Sequence, residues 1–128
     1  MDKKIIIVAC FFAITAIILG AFGAHALKNL LTLEQLMTFE TGVKYQMYHA
    51  LFLLFLGLNN HISIKSKKTI LIVTILGITL FSGSIYLLAT NGLTSFDFRV
   101  IGIITPIGGL LLIVAWSILL MQILKKKA

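Results

Sequence analysis

The chain has 128 residues, of which 59% are hydrophobic and only 12% are charged, and its mean hydropathy is +1.08. A soluble domain of this size needs a polar surface, and this composition supplies too few polar residues to build one, so we exclude the soluble globular class. The formal net charge of +7 would suit a nucleic-acid partner, but the basic residues flank apolar segments instead of forming a folded basic face, so we expect no nucleic acid to bind.

Four long segments contain no Asp, Glu, Lys or Arg, and each is long enough to cross a membrane as a helix. A helix rises about 1.5 Å per residue, so roughly 20 apolar residues span a hydrocarbon core about 30 Å thick. The segments lack the alternating pattern of barrel strands, which favours helices. We therefore predict an all-α polytopic membrane protein, a single domain over residues 1–128, with a bundle of four transmembrane helices at about 4–26, 43–58, 69–90 and 98–124.

Span one carries small residues at a helical spacing, which predicts a face on which another helix packs closely. Positions three and four apart share one side of a helix, and small side chains let two backbones approach each other in lipid. We expect this face to pack within the bundle or to join two copies of the chain in a homo-oligomer. Its residues are Ala9, Ala13, Ala16, Gly20 and Ala24.

Two further features of span one concern redox chemistry and processing. Cys10 is the one cysteine of the chain, and its place inside an apolar span predicts a buried, inert thiol. A short basic start, an apolar run and the triplet Ala24-His25-Ala26 are similar to a secretory signal. The apolar run is longer than most signal cores, so we expect the segment to be retained as span one.

The segment after span one is predicted to be structured. Thr32 and Gln35 match a capping box, in which each side chain accepts a hydrogen bond from the other residue's backbone N–H, and Leu31 and Leu36 occupy the hydrophobic-staple positions. A helix is therefore expected directly after Thr32. We predict a short interfacial helix between spans one and two; the alternative is a helix that runs directly into span two.

Helix-end signals surround spans three and four. Asn91-Gly92 is predicted to stop span three, since glycine is common just past a helix end. Thr94 and Asp97 form a second capping pattern ahead of span four. Pro106 lacks a backbone N–H and falls inside the predicted span four, so we expect a kink in the outer half of that helix.

Most basic residues flank the predicted spans on a single side of the membrane. They are eight of the eleven in the chain, namely Lys3, Lys4, Lys65, Lys67, Lys68, Lys125, Lys126 and Lys127. Basic residues are retained on the cytoplasmic side, so we predict that both termini and the middle loop are cytoplasmic. The same lysines are expected to attract anionic head groups, which makes membrane lipids the expected partners.

Polar side chains collect at the opposite, outer end, mostly on the first half of span two. Glu40 and Lys44 are spaced for an ion pair, while Tyr45, Gln46 and His49 lie three or four residues apart. Unmet hydrogen bonds are costly in lipid, so these groups are expected to face the bundle interior. The cluster is either an outward-facing ligand-binding site or a structural hydrogen-bond cluster. The candidate site residues are His25, Glu40, Lys44, Tyr45, Gln46 and His49.

No complete catalytic or metal-binding motif accompanies this cluster. The HxxxH, CxxC and HExxH spacings do not occur, and no acidic residue lies in the core of a span. We therefore expect no catalytic residue, no metal and no cofactor, and interpret Trp116 as an anchor or packing residue. The leading hypothesis is a non-enzymatic membrane protein that binds a small ligand, lipid or partner. The alternatives are an oligomeric small-solute transporter or channel, and a small membrane enzyme.

Several segments resemble one family of small bacterial membrane proteins. They are Gly20-Ala-Phe-Gly-Ala-His-Ala-Leu-Lys28, Thr41-Gly-Val-Lys-Tyr-Gln-Met-Tyr-His-Ala50, Leu80-Phe-Ser-Gly-Ser-Ile-Tyr-Leu-Leu88 and Pro106-Ile-Gly-Gly-Leu-Leu-Leu-Ile113. On these segments the chain resembles the YgdD/YwdK-type family (domain of unknown function 423), to which animal transmembrane protein 256 is distantly related. The resemblance implies four membrane helices in the bacterial cytoplasmic (cell) membrane. It implies no activity or substrate, and its motifs include His25, Tyr45, Gln46 and His49.

Overall fold

The computed structural model describes residues 2–93 and 102–125, and within these ranges the chain forms four α-helices and no strand. The helices are α1 (Asp2–His25), α2 (Leu33–Leu58), α3 (Ile64–Ala89) and α4 (Ile104–Lys125), and a 3-10 turn covers Asn91–Leu93. The predicted all-α class is confirmed. The helices α1, α3 and α4 are long and apolar enough to cross a membrane. The helix α2 is not among these three, and its first half carries the polar residues noted above.

The helices pack in chain order, and each is antiparallel to the next. The end of α1 lies beside the start of α2, where a Cβ added at Gly20 would lie 3.3 Å from Val43. The start of α1 lies beside the end of α2, at Gly57. The end of α3 meets the start of α4 through a hydrogen bond of 2.5 Å between the hydroxyls of Ser84 and Thr105. The two central helices are thus α2 and α3, and α1 and α4 lie outside them.

Two apolar clusters form the core, one towards each end of the helices. The larger cluster receives residues from all four helices and includes Ile5, Leu53, Leu56, Ile70 and Ala115. The smaller cluster lies at the opposite end and consists of Leu27, Leu31, Phe39 and Ala89. Along α2, the buried polar residue Gln46 falls between the two clusters, near the middle of that helix.

The predicted capping box starts α2, but a separate interfacial helix does not form. The Thr32 hydroxyl accepts a hydrogen bond from the backbone N–H of Gln35 at 3.1 Å, and the Gln35 side chain accepts one from the backbone N–H of Thr32 at 2.9 Å. Nothing stops the helix after this start, and α2 continues without interruption to Leu58. The alternative, in which this helix runs directly into span two, is what the structure shows.

The predicted kink at Pro106 is wrong because α4 begins later than expected. The helix starts at Ile104, so Pro106 is its third residue. The first four N–H groups of a helix have no partner within it, so proline at this position breaks no hydrogen bond. The predicted cap at Thr94 and Asp97, and the first residues of the predicted span, lie outside the described ranges.

Part of the predicted small-residue face of α1 packs against α2 within the same chain. Ala9 and Ala16 are buried and a Cβ added at Gly20 would lie 3.3 Å from Val43, whereas Ala24 is exposed. Cys10 points to the opposite, exposed side of α1, so the prediction of a buried thiol is wrong.

The antiparallel order brings the described lysines of the termini and the middle loop to one end of the molecule, here called the basic end. Its residues are Lys3, Lys4, Lys65, Lys67, Lys68 and Lys125. Lys67 differs from the others because its side chain is only 3% exposed, and its Nζ lies 2.9 Å from the carboxylate of Asp2. This ion pair fastens the start of α1 to the first turn of α3.

Candidate functional site

The structure distributes the six predicted site residues over several places instead of gathering them in one pocket. Gln46 is buried between α1 and α3, whereas His49 is buried towards α4. Glu40 and Lys44 form an exposed ion pair at 3.6 Å on another side of α2. His25 is exposed in the last turn of α1 and forms no hydrogen bond or ion pair with the other five.

Gln46 is the centre of a hydrogen-bond network that joins three helices. Its Nε2 donates to the backbone carbonyl of Phe12 at 2.9 Å and to the Thr15 hydroxyl at 2.7 Å, both on α1. Its Oε1 accepts a hydrogen bond from the Tyr86 hydroxyl on α3 at 2.7 Å. Both donors of the amide and one site on its oxygen are therefore used within the protein. This half of the predicted cluster has the geometry of a structural crosslink.

His49 joins α2 to α4, and its two partners determine its tautomer. Its Nδ1 lies 2.7 Å from the backbone carbonyl of Tyr45, which only accepts hydrogen bonds, so Nδ1 carries the proton. Its Nε2 lies 3.1 Å from the indole N–H of Trp116, which only donates, so Nε2 is the acceptor. The neutral ring is thus fully hydrogen-bonded, with the Trp116 ring at 77° to it.

A cavity of about 550 Å³, here called the lateral cavity, lies beside this pair where α2, α3 and α4 meet. The residues that line it include Tyr45, His49, Phe81, Pro106, Gly109 and Trp116. Its walls are mostly aromatic and aliphatic. Tyr45 is 41% exposed, packs against Phe81 with ring centroids 5.0 Å apart, and has a hydroxyl without a hydrogen bond to any described residue.

A second cavity, of about 460 Å³, lies on the opposite side of α2, between the end of α1 and the start of α2. We call it the rim groove, and the residues that line it include Gly20, Gly23, Lys28, Met37, Glu40 and Lys44. Since a helix turns 100° per residue, Glu40 and Lys44 lie on the side of α2 that faces away from Tyr45 and His49. Four of the six residues predicted as one site are thus divided between two separate cavities, and the other two, Gln46 and His25, line neither of them.

Sequence reasoning missed the partners of the buried polar residues. Trp116, which the sequence indicates only as an anchor or packing residue, lies near the middle of α4, level with His49. Neither Thr15 nor Ser82 was identified as a polar partner, although the Thr15 hydroxyl accepts a hydrogen bond from Gln46 and the Ser82 hydroxyl donates to the carbonyl of Gly42 at 2.7 Å. The helical positions of these residues gave no indication of which neighbour they face.

Two further features of the described residues concern metal-ligating side chains and unpartnered polar side chains. Within residues 2–93 and 102–125, no three His, Cys, Asp or Glu side chains come close enough to hold a metal ion together. The hydroxyl of Thr74 is buried on α3 and has no hydrogen-bond partner in this part of the chain. What the arrangement offers instead is two cavities of ligand size.

Comparison with known proteins identifies relatives along nearly the full chain. A family model described as "Protein of unknown function (DUF423)" matches residues 19–109. The UPF0382 membrane protein SSP2132 of Staphylococcus saprophyticus is 40% identical over 123 residues, which cover 96% of this chain and 98% of that protein. YwdK of Bacillus subtilis, also a UPF0382 membrane protein, is 38% identical over 125 residues, covering 96% and 98%. A UPF0382 membrane protein of Haemophilus influenzae is 34% identical over 128 residues, covering 100% and 99%. No solved structure matches the chain.

Proposed function

Since the chain belongs to the DUF423 family and its relatives are membrane proteins, we propose that it is a non-enzymatic membrane protein that binds an elongated apolar molecule in the lateral cavity. The observation that carries this proposal is the cavity itself. Its volume of about 550 Å³ lies within the range of about 300–1,000 Å³ that is typical of small-molecule sites, and its walls are mostly apolar.

The hydrogen bonds in the cavity wall favour an apolar ligand over a polar one. Both nitrogens of His49 and the indole N–H of Trp116 are already bonded within the protein, so none of them is available without breaking an existing contact. The Tyr45 hydroxyl is the polar group left for a ligand among the described lining residues. A long-chain molecule with one hydroxyl or carbonyl group fits this pattern.

The topology that goes with this proposal has four spans and cytoplasmic termini, in the bacterial cytoplasmic membrane. The basic end supports this orientation because lysines are retained on the cytoplasmic side. The antiparallel packing of α2 between α1 and α3 supports a crossing by α2 as well, since neighbours on both sides are membrane-spanning helices. In this orientation Tyr45 lies in the outer half of the membrane.

Two leucine variants test the lateral cavity with Trp116 as the reporter, because it is the one tryptophan of the chain. Gly109 lines the cavity, and a Cβ there would lie 3.4 Å from Phe81, an ordinary contact, so Gly109→Leu fills the cavity without a backbone collision. A Cβ at Gly83 would meet nothing within 4 Å, so Gly83→Leu is the matched control on α3. The detergent-solubilised protein is titrated with a brominated long-chain alcohol, which quenches tryptophan on contact.

In the unaltered protein and in Gly83→Leu, we expect the quenching of Trp116 fluorescence to saturate as the brominated alcohol is added. In Gly109→Leu, we expect only quenching that rises linearly with the alcohol concentration, as for a tryptophan that is simply exposed to detergent. Thermal unfolding of both variants establishes that they are folded. If Gly109→Leu retains the saturable component, or if the unaltered protein never has one, the lateral cavity does not bind such a molecule and the proposal fails.

A further inference from the structure

The rim groove combines a charged edge with an apolar floor, and nothing in the proposed function accounts for it. Its floor includes Gly20 and Gly23 on α1, with Leu36 and Val43 facing them from α2. Its edge carries the ammonium groups of Lys28 and Lys44 and the carboxylate of Glu40. An amphiphile that lies in the groove would place its chains on the floor and its head group at this edge.

The charges at the edge are unequal, and this decides which head group fits. Glu40 lies 3.6 Å from Lys44, so one negative charge is already matched by one positive charge. Lys28 has no ion-pair partner among the described residues, which leaves the edge with one unmatched positive charge. A head group with one net negative charge restores neutrality. A zwitterionic head group has no net charge and would leave Lys28 unmatched.

The surrounding residues are placed for contact with a lipid. Leu33 and Met37 also line the groove, and both are well exposed although they are large and apolar. Long lysine side chains at the end of a membrane helix lay their stems along apolar surface and extend their charge to the interface. Lys28 follows the end of α1 by three residues, which is such a position.

We infer that the rim groove binds one anionic glycerophospholipid, with its phosphodiester between Lys28 and Lys44 and an acyl chain along the floor beside Met37. The site is separate from the lateral cavity, because the two lie on opposite sides of α2 and share no lining residue. It is also distinct from the attraction of lipids to the basic end, because Lys28 follows the end of α1 and Lys44 lies in the first half of α2, so neither belongs to the basic end.

A methionine methyl signal reports on the groove directly. The chain has four methionines, of which Met37 lines the groove, while Met47 and Met121 do not and serve as internal controls. The protein, with its methionine methyl groups labelled with carbon-13, is titrated in neutral detergent with phosphatidylglycerol and, in parallel, with phosphatidylethanolamine. We expect a saturable shift of the Met37 signal with phosphatidylglycerol and little or none with phosphatidylethanolamine.

Charge substitutions separate a binding site from a structural effect. With about 1 kcal/mol for each lysine, Lys28→Gln with Lys44→Gln weakens binding of phosphatidylglycerol by roughly 30-fold. The control pair Lys65→Gln with Lys68→Gln removes two exposed lysines at the basic end and leaves the Met37 titration unchanged. Glu40→Gln removes the competing carboxylate and tightens binding several-fold, which a purely structural role of Glu40 would not produce.

Three results would overturn the inference. The first is an absence of any saturable Met37 shift with phosphatidylglycerol. The second is an equal response to phosphatidylethanolamine, which would mean that the net charge of the head group is irrelevant. The third is a titration of the Lys28→Gln, Lys44→Gln variant that matches the unaltered protein. Failure of the lateral-cavity experiment leaves these outcomes unaffected, because that experiment reads Trp116 on the other side of α2.

Discussion

Gln46 illustrates how one polar side chain in a membrane helix can be more important for packing than for binding. Its amide is the shared partner of α1 and α3 at a point where the two apolar clusters leave a gap between them. In lipid, apolar side chains gain little by contacting each other instead of the hydrocarbon, so hydrogen bonds and close packing select one arrangement of helices. Gln46 therefore specifies the register of α2 against both neighbours.

Replacement of Gln46 tests this role. Gln46→Leu removes the hydrogen bonds that the amide donates to Phe12 and Thr15 and the acceptor of the Tyr86 hydroxyl, and we expect it to lower the free energy of unfolding by about 1–2 kcal/mol. Unfolding is measured by titration with dodecyl sulfate in mixed micelles. Thr38→Val, which removes an exposed local hydrogen bond on the same helix, is the control and is expected to change little.

A double-mutant cycle makes the prediction specific to the network. Tyr86→Phe removes the same hydrogen bond as Gln46→Leu, so the double variant is expected to be less destabilised than the sum of the two single variants. Strict additivity would mean that the two side chains do not interact, and Gln46 would then not be the crosslink that the geometry indicates.

Lys67 is a second residue whose role depends on its neighbours. By position it is one of the basic residues that predict a cytoplasmic loop, but its charge faces Asp2 within the protein. A buried ammonium needs a partner because its desolvation is costly, and the carboxylate at the start of α1 supplies one. Lys67 is thus a link between α1 and α3, while its exposed neighbours Lys65 and Lys68 are free to meet lipid head groups.

At the scale of elements, α3 and α4 approach each other closely because of glycine. A Cβ added at Gly108 would lie 2.7 Å from the carbonyl carbon of Leu80 and even closer to the backbone nitrogen of Phe81. Backbone atoms cannot rotate away as a side chain can, so any larger residue at position 108 separates the two helices. The hydrogen bond between Ser84 and Thr105 lies next to this crossing and depends on the same close approach.

Replacing each of two glycines with alanine tests this crossing. Gly108→Ala is expected to lower the free energy of unfolding by about 3 kcal/mol, because overpacking against a backbone forces the helices apart. A Cβ at Gly83 would have no atom within 4 Å. Gly83→Ala is therefore expected to leave the free energy of unfolding unchanged or to raise it by up to about 1 kcal/mol, because alanine has the higher helix propensity. Thermal unfolding in detergent measures both variants. Equal stability of the two would contradict a backbone contact at Gly108.

The elements differ in how far the sequence could predict them. The start of α2 was predicted correctly because a capping box is local, requiring only Thr32 and Gln35. The start of α4 was misplaced because apolar residues continue on both sides of it, and hydropathy alone does not locate the residue at which a helix begins. That error also hid the contact of Trp116 with His49, since the pairing depends on how far each residue lies along its own helix.

The sequence identified polar residues on and near α2, but it did not indicate how they are arranged. Helical spacing correctly placed Glu40 with Lys44, because residues four apart are neighbours on any helix. The same spacing gives no information on which side of α2 faces α1, α3 or α4. The predicted single cluster therefore separated into a buried network around Gln46, a lateral cavity beside His49 and a rim groove beside Glu40.

At the scale of the whole molecule, the antiparallel order of the helices gives the protein a basic end and an opposite end. The lateral cavity and the rim groove both lie closer to the opposite end than to the basic end. The described lysines of the termini and the middle loop lie at the basic end, and the start of α2 with Thr38 lies at the other. If the basic end is cytoplasmic, both cavities open into the outer half of the bilayer, where they meet molecules delivered from outside the cell.

Cysteine labelling tests this orientation and the crossing by α2 in one experiment. In a Cys10→Ala background, Thr38→Cys and Asn60→Cys place single thiols at exposed positions near the two ends of α2 without changing the lysine count. We expect a membrane-impermeant maleimide to label Thr38→Cys in intact spheroplasts and to label Asn60→Cys only after permeabilisation. Labelling of both variants in detergent controls for thiol reactivity. Labelling of both in intact spheroplasts would mean that α2 does not cross the membrane, and the reverse pattern would place the two cavities in the cytoplasmic leaflet.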